Sequence, residues 1–305
     1  MSLKCGIVGM PNVGKSTLFN LLTKANVKVA NYPFCTIEPS AAVVSVKDER
    51  IDVLALMNKS KNVIYSTVEF VDIAGLVKGA SKGAGLGNKF LSHIHQVDLI
   101  IHVVRTFEDS NIIHVGGRVD PAADLEIINT ELKLADLKTV ENYKKKNPSA
   151  SLLEKQILED KIIADTLGLN LLTVKPVIIL CNGAVPAEIQ EYCNKFNIFF
   201  LGFNFCNENS EQLEGDLNNL IKVCFKKLNL ISFFTTGLPE TRAWTTPSGS
   251  TAVEAAGKIH SDFVKHFIRA ECLAYEDYII NKSMQMVKKD YVVRDGDVMY
   301  FHVSC

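Results

Sequence analysis

The stretch GMPNVGKST at residues 9–17 constrains this chain more than any other. It has the form GxxxxGK[ST], a phosphate-binding loop, which has meaning only between a strand and a helix. Both neighbours are legible. Residues 3–8 are a short apolar run that reads as a buried strand, and residues 17–23 (TLFNLLT) carry apolar side chains at helical spacing. Gly9 and Gly14 permit the tight turn and let backbone N–H groups approach phosphate oxygens. Lys15 offers a point charge to the β- and γ-phosphates, and Ser16 offers a hydroxyl to Mg²⁺. The N-terminus of the following helix favours an anion. Asn12, Val13, Gly14, Lys15, Ser16 and Thr17 are the expected nucleotide-binding residues of this loop.

Two further segments extend the site. Residues 31–39 (NYPFCTIEP) hold two prolines around a central threonine, so the segment is extended rather than helical. A threonine here binds Mg²⁺ and senses the γ-phosphate in phosphate-loop switches, which makes Thr36 the candidate. Residues 41–46 and 67–71 read as strands, and the second runs into DIAG at 72–75. An aspartate at the end of a buried strand can hold Mg²⁺ through water, and a following glycine N–H can meet the γ-phosphate. Asp72 therefore joins Ser16 and Thr36 as an expected metal residue, and Gly75 joins the nucleotide set. The glycine-rich run at 76–87 fits a switch that reorders with nucleotide state.

The rest of the chain alternates strands and helices. Residues 99–104, 177–180 and 198–203 read as strands, and 213–228 as a closing helix. This alternation predicts an α/β fold: a phosphate-loop NTPase domain with a mostly parallel sheet and its ligand at the strand carboxyl ends. Residues 125–172 are helix-rich and include LLEKQILEDKII after the basic triplet at 144–146, which predicts a helical arm inserted into that domain. From residue 230 a strand at 241–246, a helix at 252–260 and two short strands at 290–303 predict a small α+β, β-grasp-like domain. The expected boundaries are 1–137, 138–172, 173–229 and 230–305.

Composition narrows the partners. The net charge of −1 gives no global attraction to nucleic acid, so DNA is not expected and any RNA contact must come from a local patch. No apolar run reaches membrane-spanning length. The eight cysteines are scattered without zinc spacing and read as reduced thiols of a cytoplasmic protein, and the first strand starts too early for a signal peptide.

Together these residues resemble the YchF / Obg-like ATPase family, within the Obg-related translation-factor class of phosphate-loop proteins. The resemblance lies in KCGIVGMPNVGKSTLFN (4–20), NYPFCTIEP (31–39), EFVDIAGLVKGASKGAGLGN (69–88), VVRTFEDSNIIHV (103–115) and VDPAADLEIINTELKLADL (119–137). In the C-terminal part it lies in RAWTTPSGSTAVEAAGKIHSDF (242–263) and KDYVVRDGDVM (289–299), which look like that family's TGS domain. It implies a G-domain with an inserted coiled-coil arm, a C-terminal TGS domain, ATP hydrolysis with Mg²⁺, and binding to the ribosome, chiefly its large subunit. Three departures stand out. The arm between 137 and 171 is shorter than the family's, 275–289 lacks the usual Ala/Gly-rich helix, and the base-reading motifs around Asn182 and Asn204 are blurred.

Leu76 stands where Ras-like enzymes place a water-orienting glutamine, and leucine cannot hydrogen-bond water. Hydrolysis must then be slow, use another residue or need a partner. The resemblance points to His114 in NIIHV as the catalytic residue beside Lys15, within a mobile polar segment. His102 reads as a satisfied core residue, and His93 and His95, two apart, do not share a helical face and make a poor metal pair. Lys144, Lys145, Lys146, Arg242, Lys258, Lys265 and Arg269 are candidate RNA phosphate contacts, so a chain ending near 228 is expected to lose much of its ribosome affinity. Asn182 is the expected contact to a purine base, and Val185 stands where a guanine-reading aspartate would be. This favours ATP, with GTP possible. The alternative is a GTP-binding translation or ribosome-assembly switch with little intrinsic hydrolysis.

Overall fold

The computed structural model describes residues 3–25, 41–73, 85–145, 147, 151–159, 167–206 and 209–304. Thr36, Gly75 and Leu76 lie outside the described residues, as do Cys35 and Lys146. The chain divides into two compact units, one from Met1–Val44 and Glu69–Leu220, the other from Ser45–Val68 and Ile221–Cys305.

The chain begins β1 (Lys4–Val8), α1 (Lys15–Ala25), β2 (Ala41–Ser45), α2 (Glu49–Met57), β3 (Asn62–Ile64) and β4 (Thr67–Asp72). It continues through α3 (Gly85–His95), β5 (Leu99–Arg105), α4 (Pro121–Lys144), α5 (Ser151–Leu158), β6 (Val177–Asn182), α6 (Ala187–Phe196), β7 (Phe199–Phe203) and α7 (Ser210–Lys227). The first sheet has the order β2-β4-β1-β5-β6-β7, and the pairs β1–β4, β1–β5, β5–β6 and β6–β7 are parallel. All seven residues of β5 are buried, as expected of a parallel strand covered on both faces. Val8, Ile94, Ile100, Ile128 and Leu132 form one core cluster, and Val104, Leu125, Ile179, Ile189 and Cys193 form another beneath α4 and α6. β1 lies between β4 and β5, so the chain order reverses at its carboxyl end. Such switch points in α/β sheets are where ligands bind.

α4 starts on the sheet and runs past residue 137, so the arm's first helix is a continuation of a core helix. Asp120 caps it by accepting from the Ala123 N–H, and Pro121 supplies a preformed first helical residue. α5 is eight residues, little more than one heptad, so the described part of the excursion is a short helical hairpin. Val140, Leu153, Ile157 and Leu171 form its apolar seam. The fully buried Asp136 fixes the returning chain, its carboxylate accepting from the Leu172 N–H (2.8 Å), the Thr173 N–H (2.8 Å) and the Thr173 hydroxyl (2.7 Å).

The second unit continues through β8 (Leu230–Thr236), β9 (Glu240–Pro247), α8 (Ala252–Ile259), α9 (Ser261–His266), β10 (Phe267–Ala274), α10 (Tyr275–Tyr278), β11 (Gln285–Val287) and β12 (Asp297–Val303). Its sheet has the order β11-β10-β12-β8-β9-β3. The expected helix forms behind a capping box of Thr251 and Glu254, and buried Ala252, Ala255 and Ala256 let it pack in the core beside Phe233 and Met299. Only β12 forms of the two short strands expected at 290–303. The first is reduced to a bridge between Thr251 and Val292, because Asp297 draws the chain into a turn by accepting from the Arg294 N–H and the Tyr291 hydroxyl.

Residues 45–68 also belong to this unit, which the expected boundary at 230 does not anticipate. β3 pairs in parallel with β9, and Ile51 and Leu54 of α2 are fully buried against Phe234, Ala243 and Val298. Arg50 ties the segment down. It pairs with Asp48 (2.8 Å) and with Asp295 (2.8 Å), whose other oxygen accepts from the Ser232 N–H. Among the described residues no helix is long and apolar enough to cross a membrane.

Candidate functional site

The loop at 9–14 leaves the carboxyl end of β1 against β5. A Cβ at Gly9 would stand 2.4 Å from the Val103 carbonyl oxygen, so only glycine allows this approach. Gly14 has a φ of +107°, and a Cβ there would fall 2.7 Å from Asn182 Nδ2. α1 starts at the next residue, which turns its free N–H groups toward the loop. Ser16 and Thr17 are exposed on its first turn, while Val13 is buried under the loop.

Lys15 is buried, and its ammonium donates to the Met10 carbonyl at 2.8 Å, folded back across its own loop. Burial holds its pKa below the ordinary lysine value, against the opposing pull of Asp72. The Ser16 hydroxyl donates to Asp72 Oδ2 at 3.2 Å, joining the phosphate loop to the end of β4. Burial raises the Asp72 carboxyl, with Ser16 and Lys15 pulling the other way. A cation, a hydroxyl and a carboxylate thus converge at the ends of β1 and β4. The hydroxyl and carboxylate are hard oxygen donors that suit Mg²⁺. Among the described residues no cluster of three His, Cys, Asp or Glu could hold a metal.

Asn182, at the end of β6, is buried, and its amide makes two contacts within the chain. Nδ2 donates to the Val13 carbonyl at 3.1 Å, and Oδ1 accepts from the Phe205 N–H at 3.3 Å. The side chain therefore braces the phosphate loop against the segment after β7. Val185 packs in the apolar cluster with Ile189 and Cys193, and a Cβ at Gly202 would meet it at 2.5 Å.

His114 departs furthest from expectation. It is only 8% exposed, where a mobile polar segment would leave it solvated. Nε2 lies 3.0 Å from Asp124 Oδ2 on the first turn of α4, and Nδ1 lies 3.1 Å from the Gly116 nitrogen. Burial raises the Asp124 carboxyl, and the bond to His114 opposes it. Meanwhile Ile113 is 79% and Val115 is 52% exposed, so this loop turns its apolar side chains out and its imidazole in. The loop is anchored twice. Asn12, at a left-handed φ of 63°, donates from Nδ2 to the Ile113 carbonyl at 3.1 Å. Arg105, 1% exposed at the end of β5, donates to the carbonyls of Phe107 (3.0 Å), Asp109 (3.1 Å) and Ile112 (2.9 Å).

Arg105 and Asp124 escape a reading by sequence. The only signal for Arg105 is a charge closing an otherwise apolar strand. For Asp124 it is an acid in a helix's first turn, which usually means no more than a favourable dipole.

The other histidines and the basic residues complete the census. His102 is a core residue, but among the described residues its buried Nε2 has no hydrogen-bond partner, and burial pushes its pKa down to about 3. His95 lends its backbone carbonyl to Lys175 (3.2 Å), and burial lowers its imidazole pKa. Lys144 is paired with Glu154 at 2.7 Å, and Arg242 lies 3.9 Å over the Trp244 ring. Lys258, Lys265 and Arg269 are exposed.

A family model described as "50S ribosome-binding GTPase" matches residues 4–155. A model for the C-terminal domain of YchF GTPases, described only as a protein of unknown function, matches 230–304. The "Ribosome-binding ATPase YchF" of Escherichia coli O157:H7 is 43% identical over 365 aligned positions, covering 99% of each chain. The protein of that name from Bacillus subtilis is 41% identical over 369, covering 100% of each. Both alignments are longer than this chain of 305 residues, so these relatives carry segments it lacks. The solved structure of the Schizosaccharomyces pombe YchF GTPase is similar at a TM-score of 0.81 and 35% identity, covering 99% of this chain and 98% of that one.

Proposed function

The chain belongs to the YchF family, and from that premise we propose that it is a slow, cytoplasmic, Mg²⁺-dependent ATPase that binds ribosomes, chiefly the large subunit, and switches with its nucleotide. The observation that carries this reading is the convergence of Lys15, Ser16 and Asp72 at the carboxyl ends of β1 and β4. Lys15 leaves the Met10 carbonyl for the β- and γ-phosphates. Ser16 and Asp72, with Thr36, hold Mg²⁺, which when bound neutralises charge on the transferred phosphoryl group. Gly14 and the first turn of α1, with Asn12, Val13 and Thr17, cradle the phosphates, and the Gly75 N–H meets the γ-phosphate. His114 orients the attacking water in place of the glutamine that Leu76 replaces.

Base choice follows from Val185. Guanine's N1–H and exocyclic amine need an acceptor, and a half-buried isopropyl group packed against an apolar cluster provides none. Unpaired buried donors cost on the order of 1–3 kcal/mol each. Adenine has an acceptor at N1 and no exocyclic amine at C2, so ATP binds at least as tightly as GTP.

The test is phosphate release and calorimetric titration with ATP and GTP, with and without Mg²⁺ and ribosomes. Turnover of ATP that Lys15→Ala abolishes is the expected result. Equal turnover in Lys15→Ala overturns the reading. A tenfold preference for GTP with turnover only on ribosomes favours a GTP-binding switch, the reading that the description of the N-terminal family model suggests.

A further inference from the structure

We propose that Asp124 is the positioning residue of the hydrolytic step: it holds His114 in the tautomer protonated at Nε2, so that the lone pair on Nδ1 is the one that meets the attacking water. The inference rests on the assignment of His114 above and adds to it the working atom and its partner.

Two contacts define the tautomer. The Gly116 backbone nitrogen, 3.1 Å from Nδ1, can only donate, so Nδ1 must carry the lone pair. The proton of the neutral ring is then on Nε2, 3.0 Å from Asp124 Oδ2. His114 and Asp124 are both buried, which keeps water from competing for the Nε2–carboxylate contact, whereas Gly116 is exposed. Among the described residues Asp120, which caps α4, also interacts electrostatically with the ring, and Asp120 is itself paired with Arg118 at 3.0 Å.

As it stands the Gly116 N–H covers the lone pair. A turn of the 115–116 peptide uncovers it while leaving the ring on Asp124. The Gly117 N–H donates to the His114 carbonyl at 3.0 Å and closes the same turn, so the 115–116 peptide turns within it while two side chains hold the loop upstream. Arg105 holds Ile112, and Asn12 of the phosphate loop holds Ile113. A ligand that settles the phosphate loop therefore acts on the His114 loop through one hydrogen bond.

In the step itself, the water oxygen bonds to the γ-phosphorus. The bond to the bridging oxygen breaks, and its electron pair stays on the departing diphosphate. The water proton passes to Nδ1, giving an imidazolium whose Nε2–H faces the Asp124 carboxylate. That proton then leaves with the phosphate or to solvent.

The test compares the intact chain with Asp124→Asn, Asp124→Glu and His114→Ala. It measures single-turnover phosphate release, affinity for a non-hydrolysable ATP analogue, and the ¹⁵N shifts of the His114 ring. Asp124→Asn should slow release about tenfold or more, as the loss of an imidazole's orienting carboxylate does elsewhere. Its nucleotide affinity should stay unchanged, and the ring should become a mixture of tautomers. Asp124→Glu keeps an acceptor for Nε2–H and should recover part of the rate and the original tautomer. Wild-type or faster release in Asp124→Asn, with His114→Ala slow, overturns the inference alone. Unchanged release in His114→Ala overturns the assignment beneath it. If Asp124→Asn does not fold, Asp124→Glu decides: partial rate with the Nε2-protonated ring supports the proposal, and a lost tautomer at full rate overturns it.

Discussion

Lys15 and Asn182 show how one loop is prepared for a polyanion. The Lys15 ammonium is kept in a partly dehydrated site by a carbonyl and a nearby carboxylate. Lys15→Ala should therefore cost about 10²-fold or more in turnover, as the loss of a fixed transition-state donor does. Phosphate release measures it. Asn182→Ala makes a different prediction. It strips partners from the Val13 carbonyl and the Phe205 N–H, and leaving such groups unpaired costs about 1–3 kcal/mol. The melting temperature should fall, and affinity for ATP and GTP should fall together, because the loop is loosened and Asn182 serves both bases. A selective loss for one base in parallel titrations would refute the bracing role. The residues of the GMPNVGKST motif were legible because strand, loop and helix follow one another directly. Arg105 and Asp124 were not: Arg105 bonds backbone carbonyls two to seven residues on, which no side-chain pattern marks, and Asp124 meets His114 ten residues back only once the loop has folded.

At the scale of elements, the β5–α4 connection behaves as one built unit. Its loop is wound on a guanidinium that makes three bonds to backbone carbonyls and lies over the Phe107 ring at 4.6 Å. Arg105→Met removes all three, and hydrogen bonds to a charged donor contribute about 1.5–3 kcal/mol each, less when the carbonyls find water. Faster amide exchange across 106–116, with turnover falling further than nucleotide affinity, is the expected outcome. Unchanged exchange would mean that the loop holds itself. The packing of β6 on α6 makes an independent prediction. Burial raises the thiol of Cys181 to about 12 and that of Cys193 to about 11. Both stay protonated at pH 8 and should resist maleimide, while exposed Cys206 reacts. Mass spectrometry of native and denatured labelling separates the two cases. The strands β1, β2, β4, β5, β6 and β7 and the helices α1 and α7 of the first unit were readable from periodicity nearly to their ends, whereas α3 and α6 were not read. α2 and β3 were not, because they are short and their apolar partners, such as Phe234, lie far along the chain.

For the whole molecule the decisive fact is topological. The chain leaves the first unit after β2, contributes α2 and β3 to the second, and returns through β4, which ends on Asp72. Truncation near residue 228 is therefore a poor test of ribosome binding. It would strip β9 from β3 and expose Ile51 and Leu54, each fully buried. Losing that much apolar contact costs several kcal/mol at about 25 cal/mol per Å² of surface, so the remnant would misfold and lose affinity for the wrong reason. Charge substitution in the intact chain avoids this. The net charge of −1 leaves no long-range attraction to RNA, so binding must rest on local cations such as exposed Lys258, Lys265 and Arg269. Each phosphate contact releases counterions, and removing one should lower the slope of log affinity against log salt by about one unit. The triple alanine variant should bind ribosomes more weakly at low salt, converge with the wild type at high salt, and keep its melting temperature and ATP turnover. Co-sedimentation over a salt series measures this. A slope identical to the wild type's would move the RNA contact off the second unit and onto the first, where Lys145 is the next cation to replace.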